Sequence, residues 1–138
     1  GTHTDYSTAI KGGLFNYLFV QFYNTDTYSI DGFNQKDAEF ITAAFDYMTD
    51  NKLVPKSTKI VPGEPASIDA GGKGTIYHNT KYATAQDAWN AVRTQVDSLV
   101  DKPQFGGVFD WSVNQDADEE YGFSKTVFAG LNKALIKK

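Results

Sequence analysis

Apolar and polar positions along this chain alternate between two periods. Tyr17-Leu18-Phe19-Val20-Gln21-Phe22-Tyr23-Asn24 is an apolar run that ends in polar groups. That is the pattern of a buried parallel strand opening at its carboxyl end. Thr58 to Val61 reads as a second short strand, stopped by Pro62-Gly63, and Gly106 to Ser112 as a third. Between the strands, apolar residues recur at helical spacing. Ala38, Ile41, Ala44, Phe45 and Met48 mark a helix from about Gln35 to Asn51, with Asn34 as its predicted N-cap. Ala88, Ala91, Val92, Val96 and Leu99 mark one from Ala85 to Val100, where Thr84 and Asp87 have the spacing of a capping box. Val127, Phe128, Leu131 and Leu135 mark the last, from Ser124 to Ile136, and a weak helix from Tyr6 to Gly12 comes first. Thr25 to Phe33 is predicted to be a polar loop turning at Asp31-Gly32. Ser67 to Ala83 is predicted to be a long loop and Asn114 to Gly122 an acidic, solvated one.

The resulting order, α-β-α-β-α-β-α, predicts a parallel sheet covered by helices, with its strands in sequential order. In such sheets function gathers in the loops beyond the strands' carboxyl ends, here those after Tyr23, Val61 and Trp111. Three strands leave two bare sheet edges, so the pattern reads as part of a larger barrel.

Bulk properties narrow the function little. The 138 residues suffice for one domain, and a net charge of −4 with scattered basic residues, apart from Lys137-Lys138, predicts no nucleic-acid partner. No apolar run approaches the ~20 residues that span a bilayer, so no membrane partner is expected. The chain opens on Gly1, which leaves room for a removed leader. With no cysteine there is no disulfide, thiolate nucleophile or cysteine metal site. His3 and His78 are far apart without a matched carboxylate pair, so no metal is expected. Gly71-Gly72-Lys73-Gly74 lacks the Lys-Ser/Thr ending and the helix of a phosphate loop and reads as a flexible loop.

Three motifs in order carry a resemblance. They are Val20-Gln21-Phe22-Tyr23-Asn24, Pro62-Gly63-Glu64-Pro65-Ala66 and Gly106-Gly107-Val108-Phe109-Asp110-Trp111-Ser112. Together they resemble the ends of the sixth, seventh and eighth strands of glycoside hydrolase family 18 chitinases of plant and bacterial type. The resemblance implies an α/β fold, a partial (β/α)8 TIM barrel of about three parallel strands with covering helices. Residues 1–138 would be its C-terminal portion, incomplete without an N-terminal half. That family's D-x-x-D-x-D-x-E segment, which carries the general acid, lies on the fourth strand, outside this chain. Asp116-Ala117-Asp118-Glu119-Glu120 mimics part of it, but Val113 stands where the first Asp belongs.

In that family the substrate's own N-acetyl group is the nucleophile, an exception to the two-carboxylate scheme. The resemblance therefore implies that Tyr23 hydrogen-bonds the acetamide group as charge develops, with Gln21 supporting it from the same side of the strand. Trp111 would form the apolar floor under the sugar, followed by a cis peptide, and Asn24 and Glu64 would be substrate contacts. Trp89 is expected to pack helix on sheet, and Asp110 to point away from the barrel centre. The resemblance further implies chitin or chito-oligosaccharide as substrate, no cofactor, a secreted parent protein, and pairing with the missing N-terminal half or self-association. The 138-residue chain alone is expected to be inactive. Three rivals stand beside this reading: a non-catalytic sugar-binding or inhibitor protein on the same fold, a structural half-barrel, and a flavodoxin-like domain.

Overall fold

A computed structural model describes residues 6–25 and 28–136, with the side chains of residue 130 and of 132–136 left out. His3, Lys137, Lys138 and the side chain of Leu135 lie outside the described residues. The elements are α1 (Ser7–Lys11), β1 (Tyr17–Gln21), β2 (Ser29–Ile30), β3 (Phe33–Asn34), α2 (Phe40–Asp50), β4 (Lys59–Pro65), α3 (Ala85–Leu99), β5 (Phe109–Trp111), α4 (Val113–Asp118) and α5 (Gly122–Ile136). Two short 3-10 turns, Ile68–Ala70 and Ile76–His78, lie between β4 and α3.

The chain is an α/β protein built on a three-stranded parallel sheet in the order β1-β4-β5. The strands follow chain order, as right-handed crossovers require. Strand alternation divides the side chains between two faces. Phe22, Ile60 and Ala66 join Ile41, Ala44 and Phe45 of α2, Trp89, Val92, Val96 and Leu99 of α3, and Phe123 and Val127 of α5 in one core. The opposite face carries Tyr17, Phe19, Phe109 and Trp111. Its Phe19 is 63% exposed and meets the Phe109 ring edge-on at 5.6 Å.

Several boundaries depart from the sequence reading. The second strand does not stop at Pro62-Gly63 but runs to Pro65. Pro62 has no N–H to give, yet the register holds around it, because the Gly63 carbonyl accepts the Phe22 N–H at 3.1 Å and the Ala66 N–H reaches the Trp111 carbonyl at 2.9 Å. Glycine suits position 63, since a Cβ would sit 2.0 Å from the Phe109 ring and force that ring to shift. The first long helix starts at Phe40, not Gln35, and Asn34 belongs to β3. Asn34 accepts the Lys36 N–H at 2.9 Å while Asp37, paired with Lys81 at 2.8 Å, accepts the Asn34 N–H at 3.1 Å. That network holds residues 35–39 in turns. The polar loop contains the small β2–β3 hairpin around the expected Asp31-Gly32 turn. The third strand is shorter than Gly106 to Ser112.

The acidic segment is not a solvated loop. Its first part is α4, and Asp116 is fully buried. The Asp116 carboxylate accepts the N–H groups of Phe123 (3.0 Å) and Ser124 (3.3 Å) and the Ser124 hydroxyl. It thus caps the start of α5, an end whose N–H groups have no partner within the helix. The Thr84–Asp87 capping box at α3 forms as predicted.

Candidate functional site at the carboxyl end of the sheet

The carboxyl ends of β1, β4 and β5 lie side by side, which brings Gln21, Tyr23, Asn24, Glu64 and Trp111 to one rim. Tyr23 is 4% exposed, so its ring is packed. Its hydroxyl has no hydrogen-bond partner among the described residues. It is also not among the sealed polar atoms without a partner among the described residues, which are Glu39 Oε2 and Thr75 Oγ1. A held ring with an open hydroxyl is the arrangement a ligand-directed phenol needs. Burial, and secondarily the nearby Glu64, push this phenol's pKa above its ordinary value.

Gln21 closes β1 with an exposed side chain, and its Nε2 donates to the Tyr23 carbonyl at 3.4 Å. Gln21 and Tyr23 are therefore adjacent, one at the surface and one packed. Trp111 ends β5 with its indole 57% exposed, and the Trp111–Ser112 peptide is cis. A broad apolar ring left open at a strand end is suited to stacking on a flat apolar surface.

Asn24 follows Tyr23 with a φ of 72°, a left-handed conformation that Asn tolerates better than most residues. Its Oδ1 accepts the Gly72 N–H at 2.6 Å, and its own N–H donates to the Gly74 carbonyl at 2.7 Å. Glu64 is 3% exposed, on the helix-facing side of β4. Its carboxyl has no hydrogen-bond partner among the described residues, and burial raises its pKa well above the ordinary value. Asp110 also faces the helix side; burial raises its pKa.

Trp89 packs helix against sheet, as expected, and donates from Nε1 to the Ala66 carbonyl (3.1 Å) and the Tyr77 hydroxyl (2.8 Å). Tyr77 in turn donates to the Pro65 carbonyl at 2.9 Å. This network fixes the end of β4 from behind, and burial, opposed by the Trp89 hydrogen bond, raises the Tyr77 pKa. The sequence reading did not include Tyr77 or the Asn24–Gly72 bond. The αL preference of Asn and the glycines at 71, 72 and 74 are the only sequence signals for that bond.

Fold and rim together define a parallel-sheet α/β protein with aromatic and polar strand ends gathered on one side. No protein-family profile matches the chain. It is 30% identical over 122 residues to the acidic endochitinase SE2 of Beta vulgaris, a match that covers 88% of this chain and 34% of that protein. The chain thus spans about a third of the length of that relative, and the similarity relates it to chitinases. Among the described residues, no helix is long and apolar enough to cross a membrane.

Proposed function

We propose that this chain is the C-terminal portion of a secreted, family 18 chitinase-type glycoside hydrolase barrel. In the whole protein it would help to cleave β-1,4 bonds between N-acetylglucosamine units by substrate-assisted, retaining catalysis. Tyr23 donates its hydroxyl to the acetamide group of the sugar at the cleavage point, Gln21 supports that contact, and Trp111 lies under the sugar ring. Asn24 shapes the rim. Glu64 borders Tyr23 from the helix side and meets substrate only if the rim opens. The general acid comes from outside these residues, so the 138-residue chain is inactive alone.

The observation that carries this reading is the presence on one rim of a packed Tyr23 ring, its hydroxyl unpartnered among the described residues, and the open Trp111 indole. The uncovered aromatic sheet face also supports it. Parallel sheets are covered on both faces in stable proteins, and an N-terminal half of the barrel, or a second copy, would cover Tyr17 and Phe19.

The test is an NMR titration of the chain with N,N′-diacetylchitobiose, beside an assay on a chromogenic chito-oligosaccharide. The expected result is a shift of the Trp111 indole and Gln21 side-chain amide signals that Trp111→Ala abolishes, with no turnover. Unmoved signals at millimolar sugar, or turnover by the chain alone, would overturn the proposal.

A further inference from the structure

Tyr23 sits between two anchored points of backbone. On one side the Phe22 N–H donates to the Gly63 carbonyl at 3.1 Å, within the sheet. On the other the Asn24 N–H donates to the Gly74 carbonyl at 2.7 Å, across to the loop that follows β4. The Asn24 side chain adds a second bond to that loop, accepting the Gly72 N–H at 2.6 Å. The donor is a backbone N–H, so the amide oxygen, not the nitrogen, must face it. Two bonds two residues apart clasp the loop after β1 to the loop after β4. Asn24 pairs with a residue 48 positions away, so this is a tertiary contact, not a local turn.

The surroundings fit a clasp. The left-handed φ of 72° turns the chain directly after Tyr23 and aims the side chain at the neighbouring loop. A Cβ on either Gly71 or Gly72 would come within 3.3 Å of Asn24 Oδ1, so this close approach favours glycine on the receiving side. Asn24 itself is exposed, and its Nδ2 has no partner among the described residues. The side chain therefore offers two separable functions: an oxygen engaged with the loop and a nitrogen open to solvent.

We infer that Asn24 is a positioning residue for Tyr23: its amide oxygen clasps the Gly71–Gly74 loop over the end of β1 and keeps the Tyr23 ring fixed with its hydroxyl open. The inference rests on the reading of Tyr23 as a site residue. It assigns the effect of Asn24 to the acceptor that holds the loop, not to a donor that touches sugar.

Asn24→Gly and Asn24→Asp separate the two. Glycine keeps the left-handed backbone and removes the clasp. Aspartate keeps the acceptor and the tolerance for this φ but loses the Nδ2 donor. Two sugar-free readouts apply to the folded chain: hydrogen exchange at the Gly72 amide, and the rate of Tyr23 nitration mapped by mass spectrometry. In Asn24→Gly, Gly72 exchange should rise about fivefold to tenfold, as for loss of one hydrogen bond, and Tyr23 nitration should accelerate. Asn24→Asp should restore both to near the native rates. If Asn24→Gly does not fold, Gly72→Pro removes the donor from the other loop and must accelerate Tyr23 nitration alike.

Faster exchange at Gly72 with unchanged nitration would overturn the inference, leaving only a loop clasp. So would Asn24→Asp behaving like Asn24→Gly. Neither readout uses sugar, so a native chain that fails to bind diacetylchitobiose removes the functional reading and is told apart from failure of the clasp.

Discussion

Replacing Glu64 by leucine should stabilise the protein at neutral pH. A carboxyl that is 3% exposed and without a hydrogen-bond partner among the described residues is costly in either protonation state. As the neutral acid it keeps only slight contact with water, its oxygens not being among the sealed unpartnered atoms, at a cost of about 1 kcal/mol. As the anion it would lose hydration with no cation beside it among the described residues. Burial therefore holds the folded carboxyl neutral to a pH well above the ordinary carboxylate range. The phenols of Tyr23 and Tyr77 are close enough to feel its charge, and neither supplies positive charge. Leucine matches glutamate in bulk and removes both penalties. Glu64→Leu should therefore be about 1–2 kcal/mol more stable than the native chain at pH 7.

The pH dependence follows from linkage. Below the ordinary glutamate pKa of about 4.3, both folded and unfolded chains carry the proton and there is no ionisation penalty. As pH rises above that value the unfolded chain ionises while the folded one does not, so native stability falls. The loss is at most about 1.4 kcal/mol per pH unit, and it levels off only after the folded carboxyl itself ionises. Asp37 acts in the opposite sense. Burial pushes its pKa up, but hydrogen bonds from Lys81 and the Asn34 N–H, with the Lys81 charge, bring it below the ordinary value. Its contribution is present above the ordinary aspartate range and is lost as pH falls through the lowered value.

Urea unfolding of native, Glu64→Leu and Glu64→Gln chains, followed by tryptophan fluorescence from pH 4 to 8, isolates the Glu64 term as a difference between profiles. Glu64→Leu minus native should grow with pH. Glu64→Gln should lose the slope yet keep part of the cost of removing a polar group from water. A flat difference between pH 4.5 and 7.5, or a Glu64→Leu chain less stable than native at pH 7, would refute the reasoning, because it would mean that Glu64 is paired in solution.

Two further expectations concern the scaffold. Asp116→Ala should cost about 3 kcal/mol in urea unfolding, since it removes the acceptor for the Phe123 and Ser124 N–H groups at the start of α5, and Asp116→Asn should cost less. Gly63→Ala should cost about 1–3 kcal/mol, because its Cβ would meet the Phe109 ring, and Phe109→Leu in the same chain should recover part of it.

What the sequence disclosed and what it hid divide along the range of the forces. The stripe Ala88, Val92, Val96 and Leu99 and the Thr84–Asp87 box are local and periodic, and α3 forms where they predict. The alternation that puts Gln21 and Tyr23 on one side of β1 is local too, whereas the site roles expected of Tyr23 and Trp111 came from the family resemblance. Pro62-Gly63 misled because breaker statistics describe isolated segments. In the central strand, Gly63 admits the Phe109 ring and neighbouring backbone groups hold the register. Asp116 misled for the same reason, since the residues it caps become its neighbours only when α4 folds back on α5.

The same division applies within the candidate site. Tyr23 looks like a site residue from its strand, but the tie between Asn24 beside it and the loop after β4 is visible only in the fold. That loop is tied down by Asn24 through Gly72 and Gly74, and the end of β4 by Tyr77 and Trp89. Glu64 occupies the sequence position of a rim contact, yet the alternation of an unbroken β4 turns it toward the helices. Had the strand ended at Pro62, Glu64 would have begun a loop with its carboxylate in water. A misplaced strand end and an unexpected buried acid are therefore one effect, and the pH profile of Glu64→Leu tests both.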